Sequence, residues 1–118
     1  MGRVLALVDD LFFRAKIVET ARQTGVELAC FASPEDLVEE ARAHAPALVL
    51  MDLNSTQNPM EAIQQLAAGN SMPVVGFLSH VQAELAEVAR RAGCTEVMPR
   101  SQFSKELPTI LARAKAAP

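Results

Sequence analysis

The chain has no tryptophan, no tyrosine, two cysteines and no excess of positive charge. Each shortage closes off a class of function. The 14 acidic residues outnumber the 11 lysines and arginines, giving a net charge of −3. A general nucleic-acid binder needs the opposite balance to neutralise phosphates. Cys30 and Cys94 stand far apart with no CxxC between them, which disfavours a metal centre built on thiolates. No apolar run approaches the roughly eighteen residues that span a bilayer. The N-terminus carries no signal-peptide core or cleavage site. Met1-Gly2 suits a myristoylation start, but position 6 is Ala6 where Ser or Thr is needed. There is no glycine-rich phosphate loop, neither GxGxxG nor GxxxxGK followed by Ser or Thr, and no internal repeat. These absences point to a soluble cytoplasmic protein with no membrane contact and no direct nucleic-acid binding.

What is present is a globular composition. Half of the 118 residues are hydrophobic and 21% are charged, which suits one domain, 1–118, with a core that needs no staples. Short apolar runs alternate with helical spacings. Val4–Val8 is a strand-like run ending in Asp9-Asp10. Phe13, Ile17 and Ala21 then recur every four residues on one helix face, which Gly25 stops. Glu27–Phe31 reads as a second strand. Ser33-Pro34-Glu35-Asp36 follows as a helix start, with a Ser cap, Pro in the first turn and an acid three residues after the cap. Ala47–Met51 is a third strand ending in Asp52. Met60, Ile63, Leu66 and Ala67 mark a helix closed by Gly69-Asn70. Pro73–Leu78 is a fourth strand, followed by Ser79-His80. Val81, Leu85, Val88 and Ala92 predict the buried face of the next helix. Thr95–Met98 is a weaker fifth strand, followed by Pro99-Arg100-Ser101. A last helix carries Leu107, Ile110, Leu111 and Ala114, with Pro108 expected in its first turn. The five phenylalanines, Phe12, Phe13, Phe31, Phe77 and Phe103, are expected in the core, and His44 and His80 at the surface.

Alternating strands and helices imply a parallel sheet with right-handed crossovers. Apolar runs without alternation imply helices on both faces of it. The fold class is therefore α/β, a doubly wound five-stranded parallel sheet, and 2-1-3-4-5 is the order that suits five strands. In that order Cys30 and Cys94 fall at opposite edges, too far apart to bond. Ligands bind such sheets beyond the carboxyl ends of the strands, where the winding reverses. That point lies between the first and third strands, so Asp9, Asp10 and Asp52 should gather there. Converging carboxylates repel and call for a cation. With no His or Cys beside them, hard oxygen ligands suit Mg²⁺. Arg100, at the end of the fifth strand, is a second source of positive charge, and Ser79 adds a hydroxyl at the end of the fourth.

The pattern resembles the receiver domains of two-component response regulators, the CheY-like family, over nearly the whole chain. LALVDD is similar to that family's first strand and acidic pair. LVLMDLN is similar to its third strand and phospho-accepting Asp. VVGFLS matches the fourth strand and its Ser or Thr, and AGCTEVMPRS the run into the fifth strand and the family's Lys-Pro. The resemblance implies that Asp52 takes a phosphoryl group from a sensor histidine kinase or phosphotransfer protein. It implies that Asp10, with Asp9, Asp52 and the backbone carbonyl of Asn54, holds Mg²⁺, and that Ser79 and Arg100 contact the phosphoryl group. The domain would then act on an output protein or domain by contact, as a signalling module rather than an enzyme in the usual sense.

The departures from the family pattern are specific. Arg100 replaces the family's Lys and Ser101 the Pro after it. Arg is a planar fork that keeps its proton, whereas Lys is a compact charge on a flexible stem. Arg100 is therefore able to neutralise a phosphoryl oxygen or to pair permanently with Asp52. Ser55-Thr56 stands where the family has Met-Pro, Met60 where it has Gly, and Val97 where it often has an aromatic. A pseudo-receiver that docks partners without phosphorylation is the alternative. A small Mg²⁺-dependent phosphatase is a weaker one, because Asp52-x-Asn54 lacks the second Asp of a DxD motif. For Asp9, Asp10 and Asp52 the plain alternative is a solvated loop acid or helix cap, and for Ser79 the cap of the next helix.

Overall fold

Five parallel strands form one sheet in the order β2-β1-β3-β4-β5: β1 is Arg3–Leu7, β2 Glu27–Phe31, β3 Leu48–Asp52, β4 Val74–Leu78 and β5 Glu96–Pro99. The computed structural model describes residues 2–69, 72–79 and 82–116. The helices are α1 (Leu11–Thr24), α2 (Pro34–Ala43), α3 (Pro59–Gly69), α4 (Ala83–Ala92) and α5 (Arg100–Ala116). This is the doubly wound arrangement expected from the apolar runs, in the expected strand order. Asn70, His80 and Val81, assigned above to a helix stop, the surface and a helix face, lie outside the described residues.

The strands are apolar at successive positions because both faces are covered. Val4, Ala6 and Val8 turn to one face, where α1 and α5 bring Phe13, Ile17, Phe103, Leu107 and Ile110. Leu5 and Leu7 turn to the other, where α2, α3 and α4 bring Leu37, Ile63, Leu66 and Ala89. Each residue step along a strand reverses the face, so both layers are read from one sequence run. Cys30 lies on β2 and Cys94 just before β5, at opposite edges, and both are free thiols. Burial pushes the Cys94 thiol up to about 12, so it stays protonated.

Local chemistry sets the ends of the elements. Ser33 accepts a hydrogen bond from the Asp36 N–H and caps α2, with Pro34 in its first turn. Gly25 ends α1 in the left-handed region, at φ 73°, where a side chain would be strained. Gly76, in the middle of β4, serves a different need: a Cβ there would meet the Leu53 side chain at 2.8 Å. The bare backbone lets Leu53 lie flat on the sheet, which anchors the chain just after Asp52.

Three expectations are corrected. Phe12 is not in the core but 90% exposed, with Leu11 at 70%. The buried stripe of α1 is Phe13, Ile17 and Ala21, and Phe12 lies one residue, about 100°, away from it. The buried face of α4 is Ala86, Ala89 and Ala92, with Val88 half-exposed. Alanine carries little weight in a hydrophobic pattern, yet its small size allows the helix to sit close to the sheet, and that selects the stripe. Finally, α5 starts at Arg100, so Pro108 is in its interior and not in its first turn. Pro108 is exposed, and it denies the Ser104 carbonyl its helical N–H donor. Replacing it repairs the helix without touching the core. Pro108→Ala should therefore raise stability by about 1–3 kcal/mol, read as a higher urea midpoint with an unchanged slope.

Candidate functional site

The carboxyl ends of β1, β3, β4 and β5 lie side by side, since Leu7 pairs with Met51, Asp52 with Phe77, and Leu78 with Pro99. The residues that follow are Asp9-Asp10, Asn54, Ser79 and Arg100, all placed along one rim of the sheet. Asp52, the last residue of β3, is only 3% exposed, a rare burial for a carboxylate. It accepts hydrogen bonds from the backbone N–H groups of Asn54, at 3.0 Å, and Asp9, at 3.5 Å.

The other two acids are satisfied separately. Asp9 accepts from the Ser55 hydroxyl at 2.9 Å, the Thr56 backbone N–H at 2.9 Å and the Thr56 hydroxyl at 3.4 Å. The Ser55-Thr56 pair, standing where the family has Met-Pro, thus holds Asp9. A hydroxyl pair a few residues beyond a buried Asp was the available signal. Asp10 caps α1, with its Oδ1 accepting from the N–H groups of Phe12 and Phe13 at 2.9 and 3.0 Å. Its Oδ2 accepts from Arg100 Nη1 at 3.2 Å. Asp10 is thus a helix cap that also pairs with Arg100.

Arg100 opens α5 and is held from below by aromatic rings. Its guanidinium carbon lies 4.5 Å from the centre of the Phe13 ring and 5.9 Å from that of Phe77. Phe77 in turn stacks on Phe103 at 4.5 Å. A cation over ring faces is attracted by their negative quadrupole, and Arg stacks better than Lys. The arginine's ion-pair partner is Asp10 and not Asp52. Its buried Nε has no hydrogen-bond partner among the described residues.

Asn54 acts through its side chain. Its Oδ1 accepts from both the backbone N–H and the hydroxyl of Ser79, at 2.7 and 2.9 Å, and its Nδ2 donates to Gln82 Oε1 at 3.0 Å. One amide thereby latches the loop after β3 to the loop after β4. Ser79 faces this latch and does not cap α4, whose cap position is Gln82 without a side-chain bond.

The donor set suits a hard cation in kind, being carboxylate and carbonyl oxygen. It does not suit one in arrangement. Asp10 is committed to a helix end and a guanidinium, and Asp9 to three donors from Ser55 and Thr56. Among the described residues no three acidic, His or Cys side chains come together as a metal-holding group. As placed, the residues do not fit Mg²⁺.

The electrostatics follow from these partners. The Phe13 N–H above all holds the Asp10 carboxyl below its ordinary value, helped by Arg100 and the Phe12 N–H against partial burial. Burial raises the Asp52 carboxyl. The N–H groups of Asn54 and Asp9 and the charge of Arg100 oppose that rise, and the charge of Asp9 adds to it. A carboxyl that binds its proton more tightly when folded stabilises the fold while protonated, and this contribution is lost as pH rises through its folded pKa. Asp52→Asn should accordingly be more stable than the parent at neutral pH, and the gain should shrink as pH falls through the Asp52 titration, measured by urea midpoints over that range. Asn54→Ala should cost about 1 kcal/mol and speed amide exchange at Ser79, because it removes both bonds that hold that residue.

No protein-family model and no curated protein matches the chain. Solved structures do. The signal receiver domain of the response regulator NarL from Mycobacterium tuberculosis superposes with a TM-score of 0.80 at 17% identity, covering 98% of each chain. The receiver domain of NtrX from Brucella abortus gives 0.79 at 19% identity, over 97% of this chain and 99% of that one. A CheY-like receiver domain protein from Methanospirillum hungatei gives 0.76 at 14%, over 99% of both. The chain therefore has the fold of response-regulator receiver domains over nearly its whole length.

Proposed function

We propose that this chain is a signalling receiver that accepts a phosphoryl group on Asp52 from the phosphohistidine of a sensor kinase or phosphotransfer protein and relays the change by protein contact. The observation that carries this reading is the place of Asp52. It is a buried carboxylate at the point of reversed winding, with a guanidinium close by and a hydroxyl-bearing loop latched to the next residue but one. In the transfer an Asp52 oxygen forms a bond to phosphorus as the P–N bond breaks, and the released imidazole takes a proton. The new negative charge favours Arg100 and competes with Asn54 for Ser79. A loop held by one amide is a suitable two-state element for such a switch. Partner contact has a surface to use: Leu11, Phe12, Ala15 and Val18 are exposed on α1, beside the Asp10 cap.

A second reading, docking without phosphorylation, is favoured by one observation. Asp52 is nearly inaccessible, and the acids beside it are already engaged. One experiment separates the two. Phosphoramidate should add a single phosphoryl group to the parent and none to Asp52→Asn, as read by intact mass. No addition to a folded parent, with or without Mg²⁺, would reject the first reading in favour of the second.

A further inference from the structure

Among the described residues, one side-chain cation, Arg100, serves the acids at the rim. Arg100 Nη1 lies 3.2 Å from Asp10 Oδ2. The guanidinium is fixed in that place by the Phe13 ring beneath it. Asp10 cannot swing away freely, since its other oxygen holds two N–H groups at the start of α1. Asp9 is likewise held, by Ser55 and Thr56. A divalent ion seeking the free side of Asp10, its Oδ2, would have to displace a tethered charge. Mg²⁺ also gives up its own water reluctantly and asks for near-octahedral geometry. A guanidinium is weakly hydrated and never loses its proton. It fills the electrostatic need of the rim without meeting those demands.

We infer that Arg100 is a built-in cation that takes the place of a divalent metal at Asp10, so that this rim works without Mg²⁺. The inference deepens the proposed phosphoryl-accepting role, yet its main test does not depend on that role. The full chain is titrated with MgCl₂ by calorimetry at constant ionic strength, alongside Arg100→Ala and Arg100→Met. The Met variant keeps an apolar stem over Phe13, in case the Ala variant does not fold. The parent should show no saturable binding. A folded, charge-free variant should bind Mg²⁺ at least about tenfold more tightly, since a tethered competitor worth that much has been removed. Adding Asp10→Asn to it should abolish the gain. Saturable binding by the parent as tight as by the variant overturns the inference, and so does a folded variant that still binds nothing. Phosphoramidate labelling of the parent adds a second arm, with equal rates expected in EDTA and in MgCl₂. Labelling that needs Mg²⁺ also overturns it. Absence of labelling in both, with the titrations as expected, rejects phosphoryl acceptance and leaves the role of Arg100 standing.

Discussion

The packing of one guanidinium on an aromatic floor governs the rim of this sheet. The chain has only five aromatic residues, and three of them, Phe13, Phe77 and Phe103, pack together under Arg100. Phe13 comes from α1, Phe77 from β4 and Phe103 from α5, so the cluster ties three elements together and presents ring faces to the cation. Without that floor a charged side chain at the start of α5 would extend into water. With it, Arg100 is held within reach of Asp10 and its charge also acts on Asp52.

From that constraint the treatment of the acids follows. Three carboxylates at one edge would repel one another and push at least one towards its neutral form. Here each has its own relief. The hydroxyls of Ser55 and Thr56 serve Asp9, a helix end and Arg100 serve Asp10, and two backbone N–H groups serve Asp52. Asp52 is served least for its depth, which is why burial outweighs its hydrogen bonds. The site is therefore arranged around unequal carboxylates: one held charged by a helix and an arginine, one raised by burial.

Much of this was readable from residue order. Continuous apolar strands, the Ser33-Pro34 start and Gly25 each act through local physics, and each lies where that physics puts it. The sheet order followed from the number of strands, and the meeting of Asp9, Asp10, Asp52 and Arg100 from the sheet order. What stayed hidden was set by packing between distant segments. Nothing local distinguishes an alanine stripe on α4 from a leucine-valine one. The interior place of Pro108 follows from tertiary contacts that sustain a helix whose own propensity opposes it. The choice of Arg100 for Asp10 over Asp52, and the latch made by the Asn54 side chain, depend on side-chain directions that spacing does not encode.

The double duty of Asp10 has a mechanical side. Its carboxylate is at once part of the charged rim and the cap that meets two donors at the first turn of α1. A negative charge arriving at the rim would draw Arg100 from that carboxylate and change the support of the cap where Leu11 and Phe12 stand bare to solvent. The order of an apolar surface is thus tied, through a single side chain, to the charge at the rim. On the proposed reading, a change at the sheet edge would pass to that surface by fraying or firming one helix end, with no shift of strands.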